Sequence, residues 1–279
     1  MARKNRQFWE SASMNNITFT MYYDRLIEIA LSRYEWYNKP DSLDERFLEL
    51  CLCSEGKAIL FEDDVLGYLG LRATVQGDFN VYSISKLRRA IAVNGYNKEL
   101  TDKNSVLVFN NYLRKPSVRD IEAFAKRLYN IDRAIDVNVN AQKTPVLIQC
   151  EESQRLTMKN LYMKYEGNEP FIFGDNNLNP NGLKVLQTGA PFIADRLYEL
   201  RHKIWCEALT FLGVYNVGNE KKERMVTGEV DKTQGGVMAN RFSGLAMRTK
   251  ACEEFNKMFA QNMGCRYRNL DVESLVNEV

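Results

Sequence analysis

Few side chains in this sequence could take part in catalysis. His202 is the sole histidine, so a Ser-His-Asp or Cys-His arrangement would have to use it. It lies between Arg201 and Lys203 in a segment with helical periodicity, where a surface role is favoured over a catalytic one. The chain also lacks a G-x-x-x-x-G-K-[ST] phosphate loop, a G-x-G-x-x-G fingerprint and an H-E-x-x-H zinc motif. We therefore expect no catalytic residues and no cofactor.

Two groups of residues could in principle bind a metal ion. Glu62, Asp63 and Asp64 are consecutive carboxylates, but acidic residues in a turn between strands are usually solvated. Cys51 and Cys53 are the only close pair among six cysteines, and a C-x-C pair without clustered histidines is a poor zinc candidate. We expect no metal site and reduced, mostly buried thiols.

The overall charge is nearly balanced. The 279 residues include 38 Lys and Arg against 36 Asp and Glu, a formal net charge of +2. Tight, sequence-independent binding of nucleic acid usually needs a larger excess of cations, because the affinity comes from counterion release. No apolar run approaches the roughly 20 residues that span a bilayer, and none follows the basic N-terminus. We expect a protein without membrane contact, made in the cytoplasm.

Periodicity predicts an α+β chain in which a β-rich segment interrupts three long helices. The capping-box spacing of Ser42 with Glu45 and of Ser117 with Asp120 marks two helix starts, and Gly213 suits a helix C-terminal cap. The predicted helices are 16–37, 42–51, 116–139, 156–165, 190–212 and 244–263, and the predicted strands lie within 57–110, at 144–149 and at 170–173.

The segment NEKKERMVTGEVDKTQGGV (219–237) has a different character from its surroundings. Its charges alternate in sign, it carries three glycines, and it has no aromatic side chain. We predict a mobile loop that ends near Arg241 and touches a charged partner without binding it tightly. The preceding helix carries a polar face of mixed sign, made of Arg196, Glu199, Lys203 and Glu207.

Three long stretches have distinctive amino-acid sequences: VNVNAQKTPVLIQ (137–149), YEGNEPFIF (165–173) and TFLG followed by NEKKERMVTGEV (210–230). Together with the opening MARK, they resemble the portal protein of the small short-tailed podoviruses related to the Bacillus phage group. That family is also called the upper collar or head–tail connector. The likeness runs in order along most of the chain and is strongest from residue 116 to 230.

The resemblance implies a portal fold and a ring, typically of twelve subunits, at one vertex of a phage head. Double-stranded DNA would enter and leave through the central channel. The implied partners are other copies of the chain, DNA, the major capsid protein, the lower collar or tail protein, the scaffolding protein, the packaging ATPase and, in some relatives, a packaging RNA. The protein would be assembled in the host cytoplasm and reside in the virion.

The resemblance also implies a division of the chain into long stem helices around the channel, a β-rich wing and a flexible channel loop. The ranges are 1–15 for a basic N-terminal tail, 16–40 for a stem helix, 41–115 for the wing, 116–143 for a stem helix, 144–189 for wing strands and a helix, 190–213 for the channel-lining stem helix, 214–243 for the channel loop and 244–279 for a C-terminal helical region.

Three sets of functional residues follow from this assignment. Alternating charges along a channel wall give a shallow potential on which DNA can slide, whereas cations alone would hold it. The DNA-channel residues are Arg196, Lys203, Lys221, Lys222, Lys232 and Arg241. The hinge residues of the loop, which would act as a valve, are Gly228, Gly235 and Gly236. The residues that would bind the packaging machinery are Arg3, Lys4 and Arg6, for which a disordered solubilising tail is the other interpretation.

Two other functions stay open on the sequence. One is a nucleic-acid-binding packaging accessory factor that acts as a monomer or small oligomer, and the other is an enzyme without a familiar motif. Oligomeric state separates the first from a portal, because a portal is a large closed ring.

Overall fold

The structure is a computed structural model that describes the backbone of residues 2–142, 146–148, 156, 183–185, 191–215 and 227–268. Side chains are described in these ranges except at 2–16, 141, 146–148, 183–185 and 227–234. The chain divides into two compact units, one of Met1–Asn130 with Arg201–Val279 and the other of Ile131–Leu200.

The described elements alternate helices with short strands. They are α1 (Ala2–Ser32), β1 (Tyr34–Tyr37), α2 (Glu45–Glu55), β2 (Lys57–Asp63), β3 (Gly67–Phe79), β4 (Ser85–Ile91), β5 (Asn97–Thr101), β6 (Ser105–Phe109), α3 (Val118–Ala141), β7 (Val146–Ile148), β8 (Leu183–Val185), α4 (Ala194–Phe211), α5 (Thr227–Phe259) and β9 (Gly264–Tyr267).

The β-rich stretch predicted at 57–110 forms one antiparallel sheet of five strands in the order β5-β4-β3-β2-β6. Its β2 strand is buried on both faces, because alternate residues of a strand point to opposite sides. Ala58 and Leu60 pack with α2 and α5, whereas Ile59 and Phe61 pack with residues of β3 to β6. This explains why β2 reads as a continuous apolar run instead of an alternating pattern.

The first predicted helix has different limits. The prediction that it continues to Tyr37 is wrong, because α1 ends at Ser32 and Tyr34–Tyr37 forms a strand. That strand pairs antiparallel with β9, with Tyr34 opposite Tyr267. Its partner lies more than 200 residues away, so helical periodicity carried no sign of it. The predicted start at residue 16 is also wrong, since the backbone is helical from Ala2 onward; the segment before residue 16 has no Gly or Pro to end a helix.

The next helix starts later than its capping box suggested. Asp44 is the N-cap of α2, and its carboxylate Oδ1 accepts a hydrogen bond of 2.9 Å from the Phe47 N–H. Ser42 instead donates its hydroxyl to the Tyr68 carbonyl at 2.8 Å. The side chain with the capping spacing is therefore used to attach the helix entry to β3.

The charged segment after α4 is the largest correction. The loop predicted over 214–243 is wrong for residues 227–243, which belong to α5. Val237 is fully buried, and Asn240 donates its Nδ2–H to the Thr210 carbonyl of α4 at 3.0 Å. These tertiary contacts stabilise a helix that contains two adjacent glycines, Gly235 and Gly236. Residues 216–226 of the predicted loop lie outside the described residues.

The remaining predictions have mixed outcomes. Helix α3 matches the prediction at 116–139, and β7, paired with β8, matches the strand predicted at 144–149. The C-terminal region predicted as helical from 244 is helical to Phe259 and then forms β9. The pieces predicted at 156–165 and 170–173 lie outside the described residues, apart from Leu156. Among the residues that the structure describes, no helix combines the length and apolar character needed to cross a membrane.

A buried ion pair joins α2 to α5. Arg248 and Glu49 are each 1% exposed. The Arg248 guanidinium donates Nε–H to Glu49 Oε1 at 2.7 Å and Nη2–H to Oε2 at 2.6 Å, and its Nη1–H bonds the carbonyls of Asn110 and Gly244, each at 3.0 Å. Trp36 Nε1–H donates to Glu49 Oε1 at 2.8 Å. Burial lowers the pKa of Arg248, but the Glu49 carboxylate outweighs it and raises that pKa above its ordinary value.

The acidic turn between β2 and β3 is held by its own carboxylate. Asp63 Oδ1 accepts the N–H groups of Val65 and Leu66 at 3.1 Å, and its Oδ2 accepts the Tyr96 hydroxyl at 2.5 Å and Lys98 Nζ at 3.1 Å. The Tyr96 hydrogen bond first, then those from Val65 and Lys98, hold the pKa of Asp63 well below its ordinary value. Asp63 therefore fastens the turn to β5.

This network predicts acid-sensitive stability. A carboxylate with a lowered pKa in the folded state contributes stability above its unfolded pKa, near 4, and loses the contribution as pH falls. We expect Asp63→Asn to lower the thermal unfolding midpoint at pH 7, with a deficit that shrinks below about pH 4. Asp64→Asn is the matched control, because the Asp64 side chain is 99% exposed. Equal deficits for Asp63→Asn at pH 7 and pH 3 would contradict the assignment.

Candidate functional site

The charged residues predicted on α4 are all exposed. Arg196, Glu199, Lys203 and Glu207 follow one another at spacings of three and four residues, which places neighbours on one side of a helix. Glu207 pairs with Arg127 of α3 at 3.4 Å, but both side chains are more than half exposed, so the pair contributes little stability. The predicted mixed-sign polar face is thus accessible to solvent in the protomer.

The apolar side predicted for α4 is buried only in its second half. Ile204, Ala208 and Leu212 are buried, whereas Ile193 is 39% and Leu200 45% exposed. Helical periodicity in the sequence assigned these five residues and Leu197, which is half-buried, to one buried face. The predicted burial of Ile193 and Leu200 is wrong for the single protomer. Helical periodicity shows which residues share a face of the helix, but it does not show what covers that face.

Side chains from three separate segments of the chain converge on the C-terminal end of α4. Helix ends leave carbonyls without intrahelical partners and carry partial negative charge. Arg33 Nη1–H donates to the Leu212 carbonyl at 3.1 Å, and the Tyr267 hydroxyl donates to the Gly213 carbonyl at 2.9 Å. Arg241 Nε–H donates to the same Gly213 carbonyl at 2.6 Å. Gly213 has φ +75°, as predicted for the cap, and a Cβ there would lie 2.9 Å from Arg241 Cγ.

Arg241 is enclosed by aromatic rings as well. Its guanidinium carbon lies 4.1 Å from the ring centroids of both Tyr215 and Tyr267. The prediction that Arg241 is a loop residue is therefore wrong: it sits in α5 and anchors the end of α4. Spacing could not reveal this, because Tyr267 and Arg33 reach the site from distant parts of the chain.

We expect Arg241→Ala to lower the free energy of unfolding by about 2 kcal/mol, because it removes a charged hydrogen bond and two cation–π contacts. Arg241→Lys should recover only part of this, since an ammonium cannot reproduce the planar stacking. Urea unfolding measures the change, and Lys203→Ala, at an exposed position, is the control. An Arg241→Ala protein as stable as the control would contradict the anchoring role.

The other predicted site residues are dispersed or outside the described residues. Gly228, Gly235 and Gly236 lie in the backbone of α5 and not in a loop; a Cβ at Gly235 would meet no neighbouring atom of the described residues within 4 Å. Lys221 and Lys222 lie outside the described residues. Four further basic residues belong to helices, but their side chains are outside the described part of the structure: Lys232 in α5, and Arg3, Lys4 and Arg6 in α1.

The candidate catalytic groups have ordinary surroundings. His202 Nε2 lies 3.6 Å from Cys206 Sγ, one turn along α4. Cys51 and Cys53 are buried as predicted, and burial raises the pKa of each thiol to about 11, so neither is a ready nucleophile. Within the described ranges, no three His, Cys, Asp or Glu side chains are grouped as metal ligands would be.

Comparison with known proteins defines the class. The chain is 13% identical to a chain in the structure titled "Portal and tail of native bacteriophage P68", with a TM-score of 0.53 over 99% of this chain and 94% of that one. It is also 11% identical to an HK97 family phage portal protein from Corynebacterium diphtheriae, with a TM-score of 0.47 over 95% of each chain. The fold is the α+β fold of phage portal proteins.

The family is shown by sequence. The sequence model of the protein family described as Phage Connector (GP10) matches residues 4–271, which is nearly the whole chain. The protein belongs to the Phage Connector (GP10) family. The predicted portal or connector class and the portal fold are therefore confirmed.

Proposed function

We propose that this protein is the portal, or upper collar, of a small short-tailed podovirus related to the Bacillus phage group. Twelve copies would form a ring at one capsid vertex, with a channel for packaging and ejection of double-stranded DNA and a docking site for the lower collar or tail. The observation that carries the proposal is the connector-family match over residues 4–271. Translocation would draw its energy from a separate packaging ATPase, and the portal itself would have no catalytic activity.

The exposed polar side of α4 is our candidate for the channel wall. Arg196 and Lys203 attract phosphate, while Glu199 and Glu207 interrupt the positive potential. Because each fixed cation–phosphate contact releases counterions and strengthens binding, interspersed carboxylates keep DNA able to slide. Ring symmetry would repeat these charges around the bore. Lys221 and Lys222 would add transient contacts.

The N-terminus is our candidate for binding the packaging machinery. Arg3, Lys4 and Arg6 supply three cations within four residues, a pattern suited to phosphate groups of a packaging RNA or to an acidic surface of the ATPase. The capsid and scaffolding proteins would be further partners in head assembly.

Oligomeric state tests the proposal most directly. The purified full chain should show a mass of roughly a dozen subunits by native mass spectrometry, and negative-stain images should show closed rings with a central hole. A monomer or dimer at every concentration would instead support a packaging accessory factor.

A functional test addresses the wall. We expect Arg196→Gln/Lys203→Gln rings to assemble normally but to package DNA with a weaker dependence on salt, because each subunit offers two fewer phosphate contacts. Lys257→Gln, another exposed lysine, is the control. In vitro packaging over a range of salt concentrations measures this, and an unchanged salt dependence would count against these residues as the wall.

A further inference from the structure

An exposed apolar surface spans three segments of the larger unit. It comprises, with their exposed fractions, Val81 (91%), Tyr82 (75%), Tyr112 (56%), Leu113 (75%), Met238 (54%) and Phe242 (64%). We call this set the apolar patch.

Direct contacts link the three segments that carry the patch. The rings of Tyr112 and Phe242 stack with centroids 6.1 Å apart, and the Tyr112 N–H donates to the Ser243 hydroxyl at 3.3 Å. Arg114 Nη1–H reaches the carbonyl of Tyr82 at 3.4 Å, which ties the β3–β4 hairpin to the segment that carries Tyr112 and Leu113. Met238 lies one helical turn before Phe242 and accepts the Tyr215 hydroxyl at 3.1 Å. These contacts hold the patch in one arrangement.

A groove of about 340 Å³ adjoins the patch on α5. It is lined by Phe242, Leu245, Ala246, Thr249, Lys250 and Glu253. Its floor is mainly apolar, while the Lys250 side chain at its rim is 62% exposed. An apolar centre with charges at the edge is the usual arrangement of a protein–protein interface.

The size of the patch separates it from ordinary surface apolarity. Because an aromatic side chain offers about 150–250 Å², six residues exposed to this extent present on the order of 600–800 Å². The largest apolar patch of a typical monomer is about 300–600 Å². A stable protein–protein interface covers about 800 Å² on each partner. The patch therefore has the area of one side of a complete interface.

Its composition distinguishes a permanent partner from a transient one. Tyr, Phe, Met and Arg are enriched at interface centres, and the patch combines two tyrosines, Phe242 and Met238 with the neighbouring Arg114. Permanent interfaces are also more hydrophobic than transient ones. A permanent partner therefore fits the patch better than a transient one.

We propose that the apolar patch and its groove bind a neighbouring copy of this chain in the ring. The inference rests on the proposed portal function and identifies which surface closes the ring. In a cyclic assembly every copy meets its neighbour through a head-to-tail contact, so the patch is covered once per subunit by a different surface of the next copy. The groove beside Phe242 receives an apolar side chain from that neighbour.

The test replaces apolar side chains at the centre of the patch. Leu113→Ser/Phe242→Ser is compared in the full chain with Val65→Ser/Val93→Ser, whose positions are 88% and 86% exposed outside the patch. Native mass spectrometry across a dilution series, with circular dichroism to verify folding, gives the concentration at which rings form. We expect a rise of at least tenfold for the patch variant and none for the control. If the patch variant forms rings at the same concentration as the wild type, the inference is overturned, and the patch would instead bind another virion protein.

A milder variant keeps the test decisive if the serine variant misfolds. In rings of the Phe242→Cys variant, the introduced thiol should react with a maleimide at least tenfold more slowly than in dilute subunits of the same variant, because the neighbour covers the position. The labelling of the wild-type cysteines is subtracted from both rates. Equal rates would overturn the inference. Wild-type protein that forms no ring at any concentration would contradict the proposed function itself, a result distinct from rings with an open patch.

Discussion

Arg248→Met is expected to lower the free energy of unfolding by about 3–5 kcal/mol, because it leaves the Glu49 carboxylate buried without its cation. The guanidinium is the only group in the described residues that forms a salt bridge with Glu49. It also satisfies the carbonyls of Asn110 and Gly244. Methionine fills similar space but donates to none of these acceptors. Urea unfolding at pH 7 measures the loss.

The matched control for Arg248 is a surface pair of the same chemistry. Arg266 donates to both carboxylate oxygens of Glu35, at 2.9 and 3.0 Å, but its side chain is 65% exposed. We expect Arg266→Met to cost no more than about 1 kcal/mol. Burial, and not the number of hydrogen bonds, should therefore separate the two variants.

A double-mutant cycle isolates the coupling within the buried pair. Glu49→Leu/Arg248→Met removes both charges, so we expect it to be more stable than the sum of the single effects by about 2 kcal/mol or more. Additive losses would show that the two charges do not depend on each other, which would contradict the ion pair as the source of the stability.

Gly244→Ala is expected to destabilise the protein by about 1–3 kcal/mol, although alanine is the better helix former. A Cβ at this position would lie 2.0 Å from the Tyr34 hydroxyl oxygen and 3.0 Å from its Cζ. Tyr34 is fully buried, and the Arg248 guanidinium carbon lies 3.9 Å from the centre of its ring, so the ring has little room to move. Thermal or urea unfolding reports the change.

The same helix supplies the control. Gly235→Ala should stabilise the protein by up to about 1 kcal/mol, because a Cβ there meets no neighbouring atom of the described residues and alanine lowers the entropy of the unfolded chain. Tyr34→Phe should rescue part of the Gly244→Ala loss, since it removes the clashing oxygen. That hydroxyl is buried and finds no hydrogen-bond partner among the described residues, so Tyr34→Phe alone should cost little. No rescue would indicate that the clash is not the cause.

Local sequence patterns predicted the elements whose stability is local. The apolar stripe of α3 and the run of strand-forming residues from Lys57 to Asn110 both correspond to structure. Gly213 has the left-handed backbone expected of a helix cap. In each case the physical cause lies within a few residues of its effect: side-chain periodicity, β-propensity or a positive φ. The quoted family stretches also sufficed to assign the portal class.

The failures share a different cause. The α5 segment from Thr227 to residue 243 reads as a loop because its glycines and alternating charges disfavour an isolated helix, yet α4 supplies partners for Val237, Asn240 and Arg241. Residues 34–37 continue the helical periodicity of α1 in the sequence. They form a strand because β9, more than 200 residues away, pairs with them. Helix propensity is a weak preference, and contacts from remote segments outweigh it.

The sequence by itself therefore determined the class of protein, the α+β composition and the charged residues available on α4. Only the tertiary structure decided which basic side chains stay exposed to solvent and which are held by contacts within the protein. Arg196 and Lys203 remain exposed, whereas Arg241 anchors the end of α4 and Arg248 is paired in the core. The reason is distance along the chain: Glu49 and Arg248 are separated by 199 positions, and no periodicity extends that far. A charge acquires its role from its neighbours in space, and folding brings those neighbours together.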